Sequence, residues 1–444
     1  MPSSHFTPAP GHWFSTLAAA LDPRSAPRLA RLFLGALLAR GRRTVTSWIR
    51  AAGLSPEFRP CYTAVAAAGQ RADLIAAHLA HAVVKPLVAS AARLTFALDD
   101  TPTPRYGPHV QGAGTHHNPA PGPAGSPFVY GHVWVVLGLL AAHPTWGTLA
   151  LPLLARLYIR RKDLTGIPAE QRPPFRTKLE LAVELVRWLK EWLAGSAKQV
   201  WLAVDGAYAK APFLKPVLRL GVTVVSRLRK DANLRGLPLS KRRPGQRGPL
   251  PTYGKARIDL AKRAGQKRGW QRVACVQYGE RRTKEVKAFL ATWRPAGGVI
   301  RVVLVREGAG WLAFFCTDPA VTAAQVLGVM ADRGALEQAF KDVKEVWGAG
   351  QQQVRNVYAS IGAMAVNLTL YSVVEVWAWS RPEEQLVDRS QSPWDEEPRR
   401  PSHADKRKAL QREILRAEIR AVVGRRAERE EFRQLVTCLL DLAA

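Results

Sequence analysis

The sequence is short of acidic residues and of cysteine, and each shortage closes off a class of protein. Asp and Glu number 35 against 65 Lys and Arg, a formal net charge of +30 at pH 7. A chain so far from neutrality repels itself unless a polyanion is nearby, with nucleic acid the first candidate and an anionic membrane surface the second. The four cysteines, Cys61, Cys275, Cys316 and Cys438, are scattered with no C-x-x-C pair. That excludes a disulfide scaffold and a cysteine-built zinc site, and it suits a reducing compartment. The glycine-rich Gln111–Gly114 stretch has no G-K-[ST] after it, so it is no phosphate loop. Long apolar runs are also missing. Phe128–Leu157 comes nearest, but His132, His143, Pro144 and Pro152 interrupt it. Two buried elements joined by a turn are expected there, not a membrane span of about 20 residues. Met1–Gly11 lacks a basic segment followed by an apolar one, so a soluble intracellular protein with no membrane partner is expected.

What is present is globular in composition. The 444 residues are 47% hydrophobic and 23% charged, enough for two to four domains at roughly 100–200 residues each. The first 93 residues are rich in Ala, Leu and Arg. Apolar residues spaced three and four apart in Pro27–Arg40 and Ala72–Val84 predict amphipathic helices. A helical N-terminal DNA-binding domain is expected over 1–93. Arg24, Arg28, Arg31, Arg40, Arg42 and Arg43 suit a DNA-facing surface, with an ordinary solvated helix face as the competing reading.

The pattern then changes to α/β. Leu94–Leu98 reads as a buried strand ended by a turn at Asp99-Asp100-Thr101-Pro102, and 106–127 reads as a loop. Further strands are expected at Val129–Leu140, Val200–Val204 and Val222–Ser226, with helices at Phe175–Leu193 and Pro212–Arg219. From Ser226 to Arg272 there are fifteen Lys and Arg against Asp231 and Asp259 alone, a net of 15 − 2 = +13. Short β-like runs follow to Thr317, then one long helix over Ala323–Trp347 and another over Ala359–Trp377. The resulting division is a core at 94–226 and 311–378, a basic β-rich insertion at 227–310, and a linker with a charged helical end at 379–444.

Three acids occupy suggestive places. Asp100 and Asp205 each follow a predicted buried strand, and Glu337 lies on a later helix. Carboxylates at strand ends project to one edge of a sheet, where together they can hold two divalent cations for phosphoryl transfer. A lone Asp in such a place is more often a turn or helix cap. Around the third acid, Arg333, Glu337, Lys341 and Lys344 fall at i, i+4, i+8 and i+11, one stripe of a helix. A carboxylate among three cations suits a metal ligand flanked by phosphate grips, while the competing reading is an exposed salt-bridge ladder. Asp99 and Asp100 are adjacent, and strand alternation points them to opposite faces, so only one readily faces the other acids. The basic run Lys241, Arg242, Arg243 and Arg247 suits phosphate contact. The histidine pairs His78/His81 and His116/His117 lack a third ligand.

These residues resemble the DDE transposases of bacterial insertion sequences, in the cut-and-paste class with a β-strand insertion and a Y-R-E-K signature. Arg333, Glu337 and Lys344 match its last members in spacing, and Met330 stands where the tyrosine would be. Leu98–Thr101 matches the first acid's motif, Val204–Tyr208 the second's, Val224–Lys230 the strand entering the insertion, and Trp311–Pro319 the return strand. The resemblance spans about 94–377. It implies an RNase H-like core and makes Asp100, the residue before Thr, the first acid. It also implies two Mg²⁺ ions per site, for which Mn²⁺ substitutes, and stacking of Trp311 on a base flipped beside the transposon end. The implied activity is cleavage at element ends and joining to target DNA. The implied partners are double-stranded DNA with terminal inverted repeats and a second copy of the chain, in the cytoplasm at the bacterial nucleoid. A descendant that only binds DNA, or a nuclease that cuts without joining, are the alternatives.

Overall fold

In the computed structural model, residues 10–118, 125–238, 248–388, 394 and 399–423 are described. The chain begins with helices α1 (Pro10–Ala18), α2 (Ala26–Leu38), α3 (Val45–Ala51), α4 (Phe58–Gln70) and α5 (Ala72–His78). Their periodicity has the expected result. Along one side α2 buries Leu29, Leu32, Phe33, Ala36 and Leu37. The Thr44 side chain accepts the Ser47 N–H at the start of α3.

The sheet starts with β1 (Arg93–Pro104), β2 (Gly114–His117), β3 (Phe128–His143) and β4 (Gly147–Tyr158). Helix α6 (Lys178–Trp192), β5 (Gln199–Val204), α7 (Ala211–Arg219) and β6 (Thr223–Arg227) follow. β3 runs antiparallel to both β1 and β4, β5 is parallel to β1, and β6 is parallel to β5. The order β4-β3-β1-β5-β6 is that of an RNase H-like core. The apolar stretch 128–157 is the β3–β4 hairpin, and its Pro152 sits beside a register shift that skips Leu153, the kind of irregularity where proline is tolerated in a strand.

Two expectations need correction here. β1 does not stop at Asp99-Asp100. It continues to Pro104 because β3 pairs with it as far as Pro104↔Gly131, while pairing with β5 ends at Leu98↔Val204. The Arg105 N–H reaches Tyr130 O on β3. By alternation, Pro102 and Pro104 turn their nitrogens to the other side, which β5 no longer covers. Residues 106–127 are likewise not all loop, since β2 pairs with the start of β3.

The insertion holds β7 (Leu234–Arg235), β8 (Arg257–Ile258), α8 (Leu260–Gly265), β9 (Gln271–Gln277), β10 (Glu280–Trp293) and β11 (Gly298–Glu307). β12 (Gly310–Cys316) returns antiparallel to β6, so these strands extend the core sheet to 12 strands.

Next come α9 (Ala323–Asp332), α10 (Gly334–Glu345), α11 (Val357–Ala378), α12 (Glu383–Leu386) and α13 (His403–Val423). The single helix expected over 323–347 is therefore two, meeting at Arg333-Gly334, where glycine weakens helix continuity. Helix α11 is mostly apolar around its circumference because protein encloses nearly all of it. It crosses α4 so closely that a Cβ on Gly362 would lie 1.9 Å from Val65 O, and one on Gly69 1.8 Å from Tyr358 O. Glycine at both positions lets the N-terminal helices sit directly on the core.

Candidate active site

Successive residues of β1 serve opposite faces of the sheet. On one face Phe96 meets Trp192 of α6 edge-on, and Asp100 Oδ2 lies 2.5 Å from Lys178 Nζ at the start of that helix. Asp99 projects to the other face, where α10 packs and Leu336 reaches within 3.1 Å of the Cβ position of Gly138. There Asp99 Oδ2 accepts from Arg333 Nη1 at 2.5 Å, and Glu337 Oε1 accepts from Arg333 Nη2 at 2.6 Å. The structure thus brings Asp99, Arg333 and Glu337 together and turns Asp100, the residue that the sequence motif favours, to the opposite side.

Asp205 directly follows β5 and caps a short 3₁₀ turn, Gly206–Tyr208, with Oδ2 accepting the Ala207 N–H at 3.1 Å. Its charge acts on both Asp99 and Arg333. β1 and β5 part company at Leu98 and Val204, which leaves Asp99 and Asp205 at the notch where parallel pairing ends.

The electrostatics fit a cation site. Burial pushes the Asp99 carboxyl up to about 6, against the pull of Arg333 and the Asp100 N–H. Burial disfavours the Arg333 charge, yet Asp99, Glu337 and Asp205 outweigh it and hold the guanidinium above its ordinary value. Asp99 and Arg333 are only 17% and 16% exposed, whereas Glu337 is 57% exposed and opens to solvent. Among the described residues no three acids are placed to share one ion in this arrangement, because Arg333 stands between two of them. The chemistry of the donors nevertheless suits a hard divalent cation. All are carboxylate oxygens, and those of Asp99 and Glu337 already meet around one organic cation.

The remaining sequence candidates divide. Lys341 is exposed, while Lys344 is half-buried and burial lowers its pKa. Trp311 is half-buried at the start of β12, with Lys230 Nζ 4.8 Å above its ring. Lys241, Arg242, Arg243 and Arg247 lie outside the described residues.

Other groups near the site were not singled out from sequence. Tyr208 is buried and donates its hydroxyl to Asp100 Oδ1 at 3.1 Å. Burial and the charges of Asp100 and Asp99 push its pKa far above the usual phenol range. Its only signal was its place in Asp205-Gly-Ala-Tyr208, and Lys178 gave none. Tyr278, at the β9–β10 hairpin tip, is 67% exposed with φ of 55°, a conformation that bulky residues rarely adopt. Its ring covers Gly334, where an added Cβ would lie 3.6 Å from Tyr278 Cε1.

Comparison with known families gives one match. A family model described as DDE superfamily endonuclease matches residues 16–295, more than half of the chain. No curated protein matches.

Proposed function

This chain belongs to the DDE superfamily of endonucleases, and from that premise we propose that it is a transposase that cuts DNA at the ends of its own element and joins them to target DNA. A transposase-like nuclease acting on DNA follows from the family. End joining, terminal inverted repeats, a homodimer pairing two ends, and Mg²⁺ with Mn²⁺ as substitute are our reading. One observation carries it. A single guanidinium gathers Asp99 and Glu337 on one face of the sheet, with Asp205 close enough to act on both Asp99 and Arg333.

We assign Asp99, Asp205 and Glu337 as the residues that would hold two divalent cations, in place of the set built on Asp100. Bound there, the cations would supply the positive charge that activates an attacking oxygen and stabilises a leaving one. The protein's own part is positional and electrostatic. β1 fixes Asp99 through ladder pairing with β3, and the 3₁₀ turn fixes Asp205 by its own cap. Arg333 pairs with both Asp99 and Glu337 and is placed to grip a phosphate beside them. Lys344 offers a partly desolvated ammonium on the same helix, better suited to a phosphate than exposed Lys341. The basic insertion, including Lys241, Arg242, Arg243 and Arg247, supplies sequence-independent affinity for the backbone.

The test is a pair of assays on a duplex carrying the inverted repeats that flank the coding sequence. Mg²⁺-dependent nicking that disappears in Asp205→Asn, with strand transfer from precleaved ends, supports the reading. Nicking without transfer would make this a nuclease, and nicking by Asp205→Asn at the wild-type rate would remove the active site assigned here.

A further inference from the structure

On the face of β1 away from Arg333, a second constellation has no place in the chemistry above. Asp100 Oδ2 pairs with Lys178 Nζ at 2.5 Å, and its Oδ1 accepts the Tyr208 hydroxyl at 3.1 Å. Both partners are themselves fixed. Lys178 opens α6 directly after a reciprocal cap, in which Thr177 accepts the Glu180 N–H and Glu180 accepts the Thr177 N–H. Tyr208 is 1% exposed, meets Phe213 edge-on at 5.8 Å, and donates its own N–H to Asp205 O at 3.0 Å. Asp205 is therefore joined to β1 by a closed path through the backbone of its own turn, the Tyr208 ring and hydroxyl, and Asp100. Ladder pairing between β1 and β5 ends one residue before each acid. Among the described residues no β1–β5 ladder pair reaches the two acids themselves, although β3 still holds Asp99.

Resting on the assignment of Asp99, Asp205 and Glu337, we infer that Asp100 and Tyr208 are positioning residues that set the distance between Asp99 and Asp205 and so tune cation affinity. The two adjacent aspartates divide the work. Asp99 faces the reacting phosphate, and Asp100 ties the second acid's turn to the strand carrying the first. Lys178 holds the Asp100 carboxylate in place from the opposite side. Outer partners of this kind, which orient ligands without touching the ion, typically change metal affinity by about 10–100-fold when removed.

The experiment uses the full chain with Mn²⁺ as the probe. Binding is followed by calorimetry and nicking is measured against Mn²⁺ concentration, for Tyr208→Phe, Asp100→Asn, Asp100→Ala and Asp99→Asn. Tyr208→Phe should raise the Mn²⁺ dissociation constant and the half-saturating concentration together, about tenfold. Its nicking rate at saturating Mn²⁺ and its DNA affinity should stay within about twofold of wild type. Asp100→Asn, which keeps an oxygen for the Tyr208 hydroxyl, should be closer to wild type than Asp100→Ala. Asp99→Asn should not nick at any Mn²⁺ concentration. Unchanged Mn²⁺ affinity in Tyr208→Phe would overturn the positioning role and leave the active-site assignment intact. Loss of nicking at saturating Mn²⁺ in Asp100→Asn, with nicking kept in Asp99→Asn, would instead make Asp100 the ligand and overturn the assignment itself. If Tyr208→Phe proves less stable to heat, Asp100→Asn against Asp100→Ala carries the same comparison.

Discussion

Arg333 Nη1 lies 2.5 Å from Asp99 Oδ2, so the cation that opens α10 is bound to an acid in the middle of β1. Its other branch donates to Glu337 Oε1 at 2.6 Å, so one guanidinium bridges two of the acids assigned above. Arg333→Gln removes that charge and leaves Asp99, only 17% exposed, without its partner. The expected cost is about 2–4 kcal/mol by urea unfolding in chelator. Added Mn²⁺ should stabilise the variant more than it stabilises wild type, because only the wild-type site already holds a competing cation. Equal stabilisation of both proteins would show that Arg333 does not stand in the ion's place.

Much of this geometry was legible in the sequence, for identifiable reasons. Leu94–Leu98 and Val200–Val204 announce themselves as apolar runs of strand length, and the charged stripe of α10 follows from helical spacing. The division between Asp99 and Asp100 was half legible. Alternation says that they part, but which faces α10 depends on the side of the sheet that α6 takes. The extension of β1 to Pro104 was hidden by two prolines, which look like a stop until one knows that their nitrogens face an unpaired side. The break at Arg333 was hidden too, because helical periodicity carries straight through it. Tyr208 and Lys178 lie 108 and 78 residues from Asp100 and meet it only through tertiary packing.

Helix α13 is fastened by a buried group that predicts both stability and acid sensitivity. Glu375 of α11 accepts from His403 Nδ1 and Lys406 Nζ, each at 2.6 Å, and Trp347, two residues past α10, donates to His403 Nε2 at 2.8 Å. Burial opposes the Glu375 charge, but Lys406 and His403 outweigh it and draw its pKa down to about 2. The folded value lies below the unfolded one of about 4.3, so this contribution is complete above that pH and disappears as the pH falls towards 2. Glu375→Gln should cost about 3–5 kcal/mol at pH 7, since it leaves Lys406 buried without a counter-charge. The difference from wild type should shrink between pH 4.3 and 2, and chemical unfolding at several pH values would reveal it.

His132 acts in a different pH range. It is completely buried, its Nδ1 accepts from Arg105 Nε at 3.1 Å, and its Nε2 meets Gln111 O at 3.0 Å. Burial and then the Arg105 charge push its pKa down to about 3. Between that value and about 6.5 the unfolded chain binds a proton that the folded chain does not, so stability falls as the solution is acidified. The expected loss from this residue is about 2 kcal/mol on going from neutral pH to pH 5. His132→Gln keeps a side-chain donor and acceptor without the titration. Its urea midpoint should change less over that range than wild type's, and parallel curves would refute the assignment.

The two lysines of α10 separate phosphate grip from helix support. Lys341 is exposed and Lys344 is half-buried, with burial lowering its pKa against the smaller pull of Glu345. A partly desolvated ammonium is unfavourable where its charge is only weakly compensated, and an incoming phosphate would relieve that cost. If the stripe merely supports the helix, alanine at either position changes stability by at most about 0.5 kcal/mol and leaves activity alone. If Lys344 grips phosphate near the acids, Lys344→Ala should lose at least tenfold in nicking, matching the roughly 1.5–3 kcal/mol of a charged hydrogen bond. Lys341→Ala should stay within about twofold. Removing a half-buried, weakly compensated charge should also leave Lys344→Ala no less stable to heat than wild type. Both variants measured on one duplex at fixed salt decide the matter, and equal nicking rates would return the stripe to a structural role.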